Sequence, residues 1–242
     1  MREQNGFSLE ESDIMVTQGA NQAFMNVVLT LLDGVASEKA VLFKPYYFNH
    51  HMAITMHAGP ESLLIGPSDP QTLLPDLDWL DATLSKHNSG SATTTNASGG
   101  RIAMVVLTNP GNPTGVSLPE SVLARAAEVT GKHGCWLILD NTYEHFCGGW
   151  YASRNGGPTK HASLQAPHVV NVFSFSKAFG MMGWRVGYTV APKALTQELQ
   201  KAQDTIAICP AAVSQAMAVR VKITLSIYIK VALTHDHRWK QS

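Results

Sequence analysis

The residues best suited to chemistry are gathered in one run, Asn171-Val172-Phe173-Ser174-Phe175-Ser176-Lys177-Ala178-Phe179-Gly180-Met181-Met182-Gly183-Trp184-Arg185. Its single lysine, Lys177, follows the apolar, β-branched stretch Val169 to Phe173, which reads as a buried strand. Phe175, Phe179 and Trp184 flank it. Partial desolvation by such neighbours lowers a lysine's pKa and favours the free amine, the nucleophile of Schiff-base chemistry. Ser174, Ser176 and Arg185 add hydroxyls and a fixed cation, the parts of a phosphate cradle. The ordinary alternative is a surface lysine at a strand end.

Other segments place polar or aromatic residues where strands should stop. Trp136 to Leu139 is closed by Asp140-Asn141-Thr142-Tyr143. A carboxylate there is costly to bury unless paired, and a protonated ring nitrogen would be a fitting partner. The competing role for Asp140 is capping the turn that follows. Ile102 to Leu107 runs into Thr108-Asn109-Pro110-Gly111-Asn112-Pro113-Thr114-Gly115. Two Asn-Pro steps and two glycines force an irregular turn there, whose side-chain amides, Asn112 included, are not used by regular structure. Ala40 to Lys44 is stopped by Pro45 and followed by Tyr46-Tyr47-Phe48, where a flat aromatic ligand could find a ring to stack on. Gly19-Ala20-Asn21-Gln22 opens a helix whose free N–H groups and positive dipole end suit a phosphate, though most such turns are only caps. His50 and His51 are adjacent, so they face different directions on a helix and make a poor metal pair.

These segments need a scaffold that collects strand ends. Short apolar strands at 14–17, 40–44, 62–65, 102–107, 136–139, 169–173 and 186–190 alternate with helical stretches at 23–32, 49–57, 76–84, 118–133 and 195–204. That order predicts an α/β fold, an open, mostly parallel sheet with helices on both faces. Lys86 to Gly100 is the one low-complexity stretch and reads as a surface loop.

Composition narrows the function classes. The chain has 242 residues, 45% hydrophobic, with 18 basic and 18 acidic side chains. This suits a globular domain with a sizeable core and gives no basic excess for nucleic acid or an anionic membrane surface. No apolar run is long enough to span a membrane, and Met1-Arg2-Glu3-Gln4-Asn5 does not open a signal peptide, so a cytoplasmic protein is the default expectation. Three scattered cysteines read as reduced thiols rather than a disulfide framework or metal site. Asn96-Ala97-Ser98 matches a glycosylation sequon by chance on this reading.

Taken in order, Val16 to Ala23, Pro45-Tyr46-Tyr47, Asn109 to Gly115, Asp140 to Tyr143 and Ser174 to Gly187 resemble the large domain of the class I/II, fold-type-I pyridoxal-phosphate aminotransferases. The resemblance covers about residues 8 to 218. It implies pyridoxal 5'-phosphate as cofactor, bound to Lys177 as a Schiff base, with the same lysine moving the substrate proton. It implies that Asp140 pairs with the pyridinium nitrogen and that Tyr143 and Asn112 bond the phenolic oxygen. Tyr47 would stack on the ring, while Ala20, Asn21, Ser174 and Arg185 would hold the phosphate. The implied reaction moves an amino group between an α-amino acid and a 2-oxo acid, within a homodimer.

The chain departs from this pattern at its ends. Members of the family are about twice as long, so residues 1–220 are expected to be an incomplete large domain truncated at both ends. Residues 221–242 form an atypical tail, and the small domain is expected to be largely missing. No arginine stands in the context of the family's carboxylate clamp. Two alternatives therefore accompany the transaminase: a non-catalytic, cofactor-binding or dimerising fragment, and a lyase on the same scaffold resembling aminocyclopropane-carboxylate synthase.

Overall fold

The computed structural model describes residues 7–8, 10, 13–34, 37–88, 100–147 and 160–221. The expectations for the first residues, for most of the 86–100 stretch with its Asn96 sequon, and for the tail beyond Val221 lie outside them. Within them, the strands are β1 (Ile14–Thr17), β2 (Glu38–Phe43), β3 (Leu63–Gly66), β4 (Arg101–Thr108), β5 (Trp136–Asp140), β6 (Val169–Ser174) and β7 (Gly187–Val190). They form a single sheet in the order β1-β7-β6-β5-β4-β2-β3. Every pairing from β3 to β6 is parallel, and β7 pairs antiparallel with both β6 and β1. One strand thus runs against the rest, and the expectation of an open, mostly parallel sheet holds.

Helices cover both faces: α1 (Ala20–Leu31), α2 (Phe48–Ala58), α3 (Leu77–Asn88), α4 (Glu120–Lys132), α5 (Lys193–Ile206) and α6 (212–221). Period-two alternation along the strands sorts the core into two layers. Leu42, Met104, Ile138 and Val172 pack with Phe24, Ile54 and Leu199 of α1, α2 and α5. Val41, Val105, Leu137 and Leu139 pack with Leu80, Leu84 and Leu123 of α3 and α4. Burial on both faces explains why these strands read as continuous apolar runs rather than alternating ones.

Three helix starts differ from the sequence expectation by two residues or more, α5 opening at Lys193 rather than Leu195. α1 begins at Ala20, three residues before Ala23, because Gly19 takes φ 84 and lets the chain enter the helix directly from the turn. α4 begins at Glu120 rather than Leu118. Pro119 is its N-cap with ψ 151, and Leu118 turns into the core instead. The Asp76 carboxylate caps α3 by accepting from the Asp78 and Trp79 N–H groups.

At Gly187, β7 passes so close to the start of α1 that a Cβ would lie 2.7 Å from Phe173 O and 2.8 Å from Ala20 N. Both are backbone atoms and cannot swing aside. Gly187→Ala should cost about 1–3 kcal/mol through overpacking, whereas Gly183→Ala, which meets nothing within 4 Å, should stay within about 0.5 kcal/mol of wild type. Urea unfolding of the two variants side by side checks this; equal midpoints would remove the close approach as a constraint.

Candidate active site

The carboxyl edge of the sheet is level across its middle strands. Thr108 lies opposite Asp140, and Asp140 opposite Val172. Ser174 lies opposite Gly187, which lies opposite Thr17. The last residues of β4, β5 and β6 therefore open into one cleft of about 210 Å³, together with the first residues of α1 and α2. All nine residues singled out from the sequence line it: Ala20, Asn21, Tyr47, Asn112, Asp140, Tyr143, Ser174, Lys177 and Arg185. Ser176 lines it too.

The centre of the cleft is a buried pair that the sequence did not announce. His50 Nε2 lies 3.0 Å from Asp140 Oδ2, with the side chains 4% and 7% exposed. Asp140 Oδ1 accepts from Thr142 N at 3.0 Å and from Thr142 Oγ1 at 2.6 Å. Asp140 thus closes the turn after β5 through one oxygen and meets His50 with the other. Burial by itself pushes its carboxyl up, but the His50 hydrogen bond and charge, helped by the two Thr142 donors, outweigh burial and hold it below the usual carboxylate range. His50 reaches this position because α2 starts at Phe48 with Tyr47 as its N-cap, placing the histidine in the first turn. Its ring is held between Phe24, 4.1 Å away centre to centre, and the edge of Tyr47, 5.2 Å away. Thr108, Thr142 and Met182 also line the cleft without having been singled out. The signal for His50 was the unpaired carboxylate itself, which demanded a donor from some other element.

The other end of the cleft is built for an anion. α1 presents the N–H groups of its first turn, with no acidic side chain there to occupy them and no side-chain cap. Arg185 arches over this helix start in the left-handed conformation, φ 52 and ψ 61. Its guanidinium donates to Met182 O at 2.7 Å and to Gln18 O at 3.2 Å. A Cβ on Gly19 would sit 2.5 Å from Arg185 Nη2, so glycine is what lets the guanidinium lie against the turn. The Ser174 hydroxyl, buried, accepts from Ser176 N at 3.1 Å. Tyr47 spans the two ends. Burial, then the nearby Asp140 and Tyr143, push its hydroxyl up, against the lowering effect of the Asn21 hydrogen bond and Arg185.

The expected desolvation of Lys177 is corrected. Lys177 is exposed. Phe175 and Phe179 turn toward each other at 5.2 Å and pack on Met181, Val186 and Ala218, while Trp184 is itself 43% exposed. The aromatics do not cover the lysine.

The His50–Asp140 pair has a measurable consequence. Because the folded carboxyl sits below its ordinary value, its contribution is fully present above about pH 3.9, the unfolded value, and is lost as pH falls through the lowered folded value. His50→Ala leaves a buried carboxylate short of a partner and should cost about 3–5 kcal/mol at pH 7. The variant's acid destabilisation should also begin at higher pH than that of wild type. Urea unfolding from pH 3 to 8 checks both; coincident curves would mean that the pair holds nothing together.

Comparison with known proteins agrees with this geometry. The model of the family "Aminotransferase class I and II" matches residues 1–226. The aromatic aminotransferase ISS1 of Arabidopsis thaliana is 46% identical over 222 residues, 90% of this chain and 50% of its own length. The crystal structure of an aromatic aminotransferase from Pyrococcus horikoshii superposes with a TM-score of 0.72 at 26% identity, covering 90% of this chain and 54% of that one. A Thermus thermophilus aspartate aminotransferase double mutant shares the fold with a TM-score of 0.77 at 24% identity, over 96% of this chain and 55% of that one. The chain thus spans about half the length of the curated relatives it matches. Sheet order, cleft and family model point the same way, and the chain belongs to the class I and II aminotransferases.

Proposed function

We propose that this chain carries the cofactor site of a pyridoxal-phosphate-dependent transaminase, which moves an amino group between an α-amino acid and a 2-oxo acid. The observation that carries the reading is a buried carboxylate, kept ionised by His50 and Thr142, sharing one cleft with a lysine and an anion-binding helix start. The cleft's donor set fits the cofactor at both ends. A carboxylate held low in pKa suits a cationic ring N–H, and free helix N–H groups with Arg185 and Ser174 suit a phosphate. The Tyr47 ring lines the space between them.

On this reading Asp140 keeps a proton on the ring nitrogen, and His50 and Thr142 keep Asp140 in its ionised form. The N–H groups of Ala20 and Asn21, the Ser174 hydroxyl and the Arg185 guanidinium hold the phosphate, while Asn112 and Tyr143 bond the phenolic oxygen. The Lys177 amine would hold the cofactor at its aldehyde end and, when free, would take and return the proton of the substrate α-carbon. Pyridoxal phosphate, when bound, supplies the electron sink that stabilises negative charge at that carbon. The relative from Arabidopsis is named for aromatic amino acids, which makes an aromatic donor the first to test.

The proposal extends to organisation. Residues 1–220 would be a large-domain portion, distinct from 221–242, and two copies would pair in the active form. A second reading is a cofactor-binding chain without turnover: the one arginine among the described residues that lines the cleft, Arg185, is tied to the Met182 and Gln18 carbonyls at the anion-binding end.

Purified chain mixed with pyridoxal phosphate should develop a visible absorbance band that Lys177→Ala abolishes. Asp140→Ala should weaken binding and lower any half-reaction on the order of 10²–10³-fold. A band that bleaches with an aromatic amino acid establishes the transaminase half-reaction. A band that no amino acid bleaches supports the binding-only reading, and a band retained by Lys177→Ala would overturn both.

A further inference from the structure

Asp140 and its neighbour Asn141 have their partners on opposite faces of the sheet. Along β5 the side chains alternate. Ile138 packs in the α1–α2 layer, and Asp140 meets His50 of α2, whereas Leu137 and Leu139 pack in the α3–α4 layer. Asn141, the next residue, shares the parity of Leu139 and meets His161 and Asn171 rather than His50. It is fully buried.

There it joins a buried amide network spread over three neighbouring strands. Asn141 Nδ2 donates to Asn171 Oδ1 of β6 at 3.0 Å and to Leu139 O at 3.2 Å. Asn171 Oδ1 also accepts from Ser163 Oγ at 2.6 Å, and its Nδ2 donates to Leu164 O at 2.8 Å. His161 Nε2 lies 3.0 Å from Asn141 Oδ1. Asn109, just past β4, donates from Nδ2 to Ala162 O at 2.7 Å and accepts from Leu118 N at 2.8 Å. Asn109 and Asn171 are each 1% exposed. Every residue from 161 to 164 is thus tied to an asparagine at or near a strand end. Ala162 and Leu164 also pack against the α3–α4 core.

We propose that residues 161–164 form a strap that orients Asp140 from the far side of the sheet, with Asn141, Asn171 and Ser163 as positioning residues. The connection is short and made of backbone. Clamping the Asn141 side chain fixes the peptides on either side of it, and its own N–H already donates to Val172 O at 2.8 Å. The next residue, Thr142, supplies both donors to Asp140 Oδ1. A loosened strap lets Thr142 drift, and the carboxylate then rotates against His50. Burial chiefly, and the nearby His145, push His161 down to about 4 against the raising effect of the Asn109 backbone, so the strap introduces no charge behind the carboxylate at neutral pH. An amide network suits the task because it fixes direction without altering the local charge balance.

The inference rests on the proposed reading of Asp140 as a site residue, but its test needs no cofactor. The probe is the ring ¹⁵N resonances of His50 in the full chain at fixed neutral pH, assigned by their loss in His50→Gln. Asn171→Ala removes the acceptor for Asn141 and Ser163, and should shift and broaden the His50 Nε2 resonance. Ser163→Ala should shift it less, and Ser163→Thr, which keeps the hydroxyl, should restore it. Val129→Ala, a buried truncation in α4 outside the network, should lower thermal stability and leave His50 unmoved. Should Asn171→Ala fail to fold, the Ser163 pair decides. Unmoved His50 resonances in the folded strap variants, or an equal shift in Val129→Ala, overturn the proposal. Absence of a cofactor band in wild type would instead overturn the proposed function and leave the coupling standing.

Discussion

A carboxylate almost fully out of water, ionised, is the constraint around which the cleft is arranged. Desolvating a carboxylate costs several kcal/mol unless donors replace the lost water. Asp140 finds them in two directions, Thr142 along the chain and His50 across from α2. Satisfying it requires that β5 end where it does and that α2 begin immediately after the Tyr47 turn. It also requires Phe24 to back the imidazole from α1. Three elements far apart in sequence are thereby tied to one oxygen pair.

The anion-binding end is set by a different constraint, close approach of backbone to backbone. β7 runs opposite to β6, so the chain returns past the start of α1, and Gly187 and Gly19 remove the side chains that would hold the two apart. Arg185 then reaches the helix start from the turn that precedes β7. The charge pattern follows from topology: carboxylate at the centre of the parallel strands, cation and helix dipole where the direction reverses.

Much of this was legible in the sequence, for physical reasons. Strands buried on both faces are apolar throughout, so β4, β5 and β6 stood out within a residue or two. Asp140 and Ser174, which close β5 and β6, and Asn112 in the turn after β4 were conspicuous as polar groups at the ends of apolar runs. His50 was not, because two adjacent histidines on a helix carry no sign of a carboxylate partner. A helix reading gives the direction of a side chain but not which strand end it meets. The strap at 161–164 was equally silent, since its ties to Asn109, Asn141 and Asn171 are long-range amide contacts with no periodic signature. The environment of Lys177 was misjudged for a related reason. Adjacency in sequence does not put an aromatic on a lysine: in a tight turn neighbours diverge, and Phe175 and Phe179 pack on each other and on Met181 instead.

The exposure of Lys177 has a consistent place beside the rigidity of Asp140. On the proposed reading the two groups have opposite mechanical requirements. Asp140 must present one fixed charge throughout a catalytic cycle, and preorganised electrostatics work only if the group cannot relax. It is accordingly buried and held by hydrogen bonds on both oxygens. The lysine must bind, be displaced by an incoming amine, and then carry a proton, so its amine has to occupy more than one position. A side chain packed on every side would pay for each move in lost contacts. The structure places the Lys177 backbone in the turn after β6, where the Gly180 N–H donates to Lys177 O, and leaves the exposed side chain lining the cleft. The four-carbon stem then supplies reach, while the anchored carboxylate supplies direction.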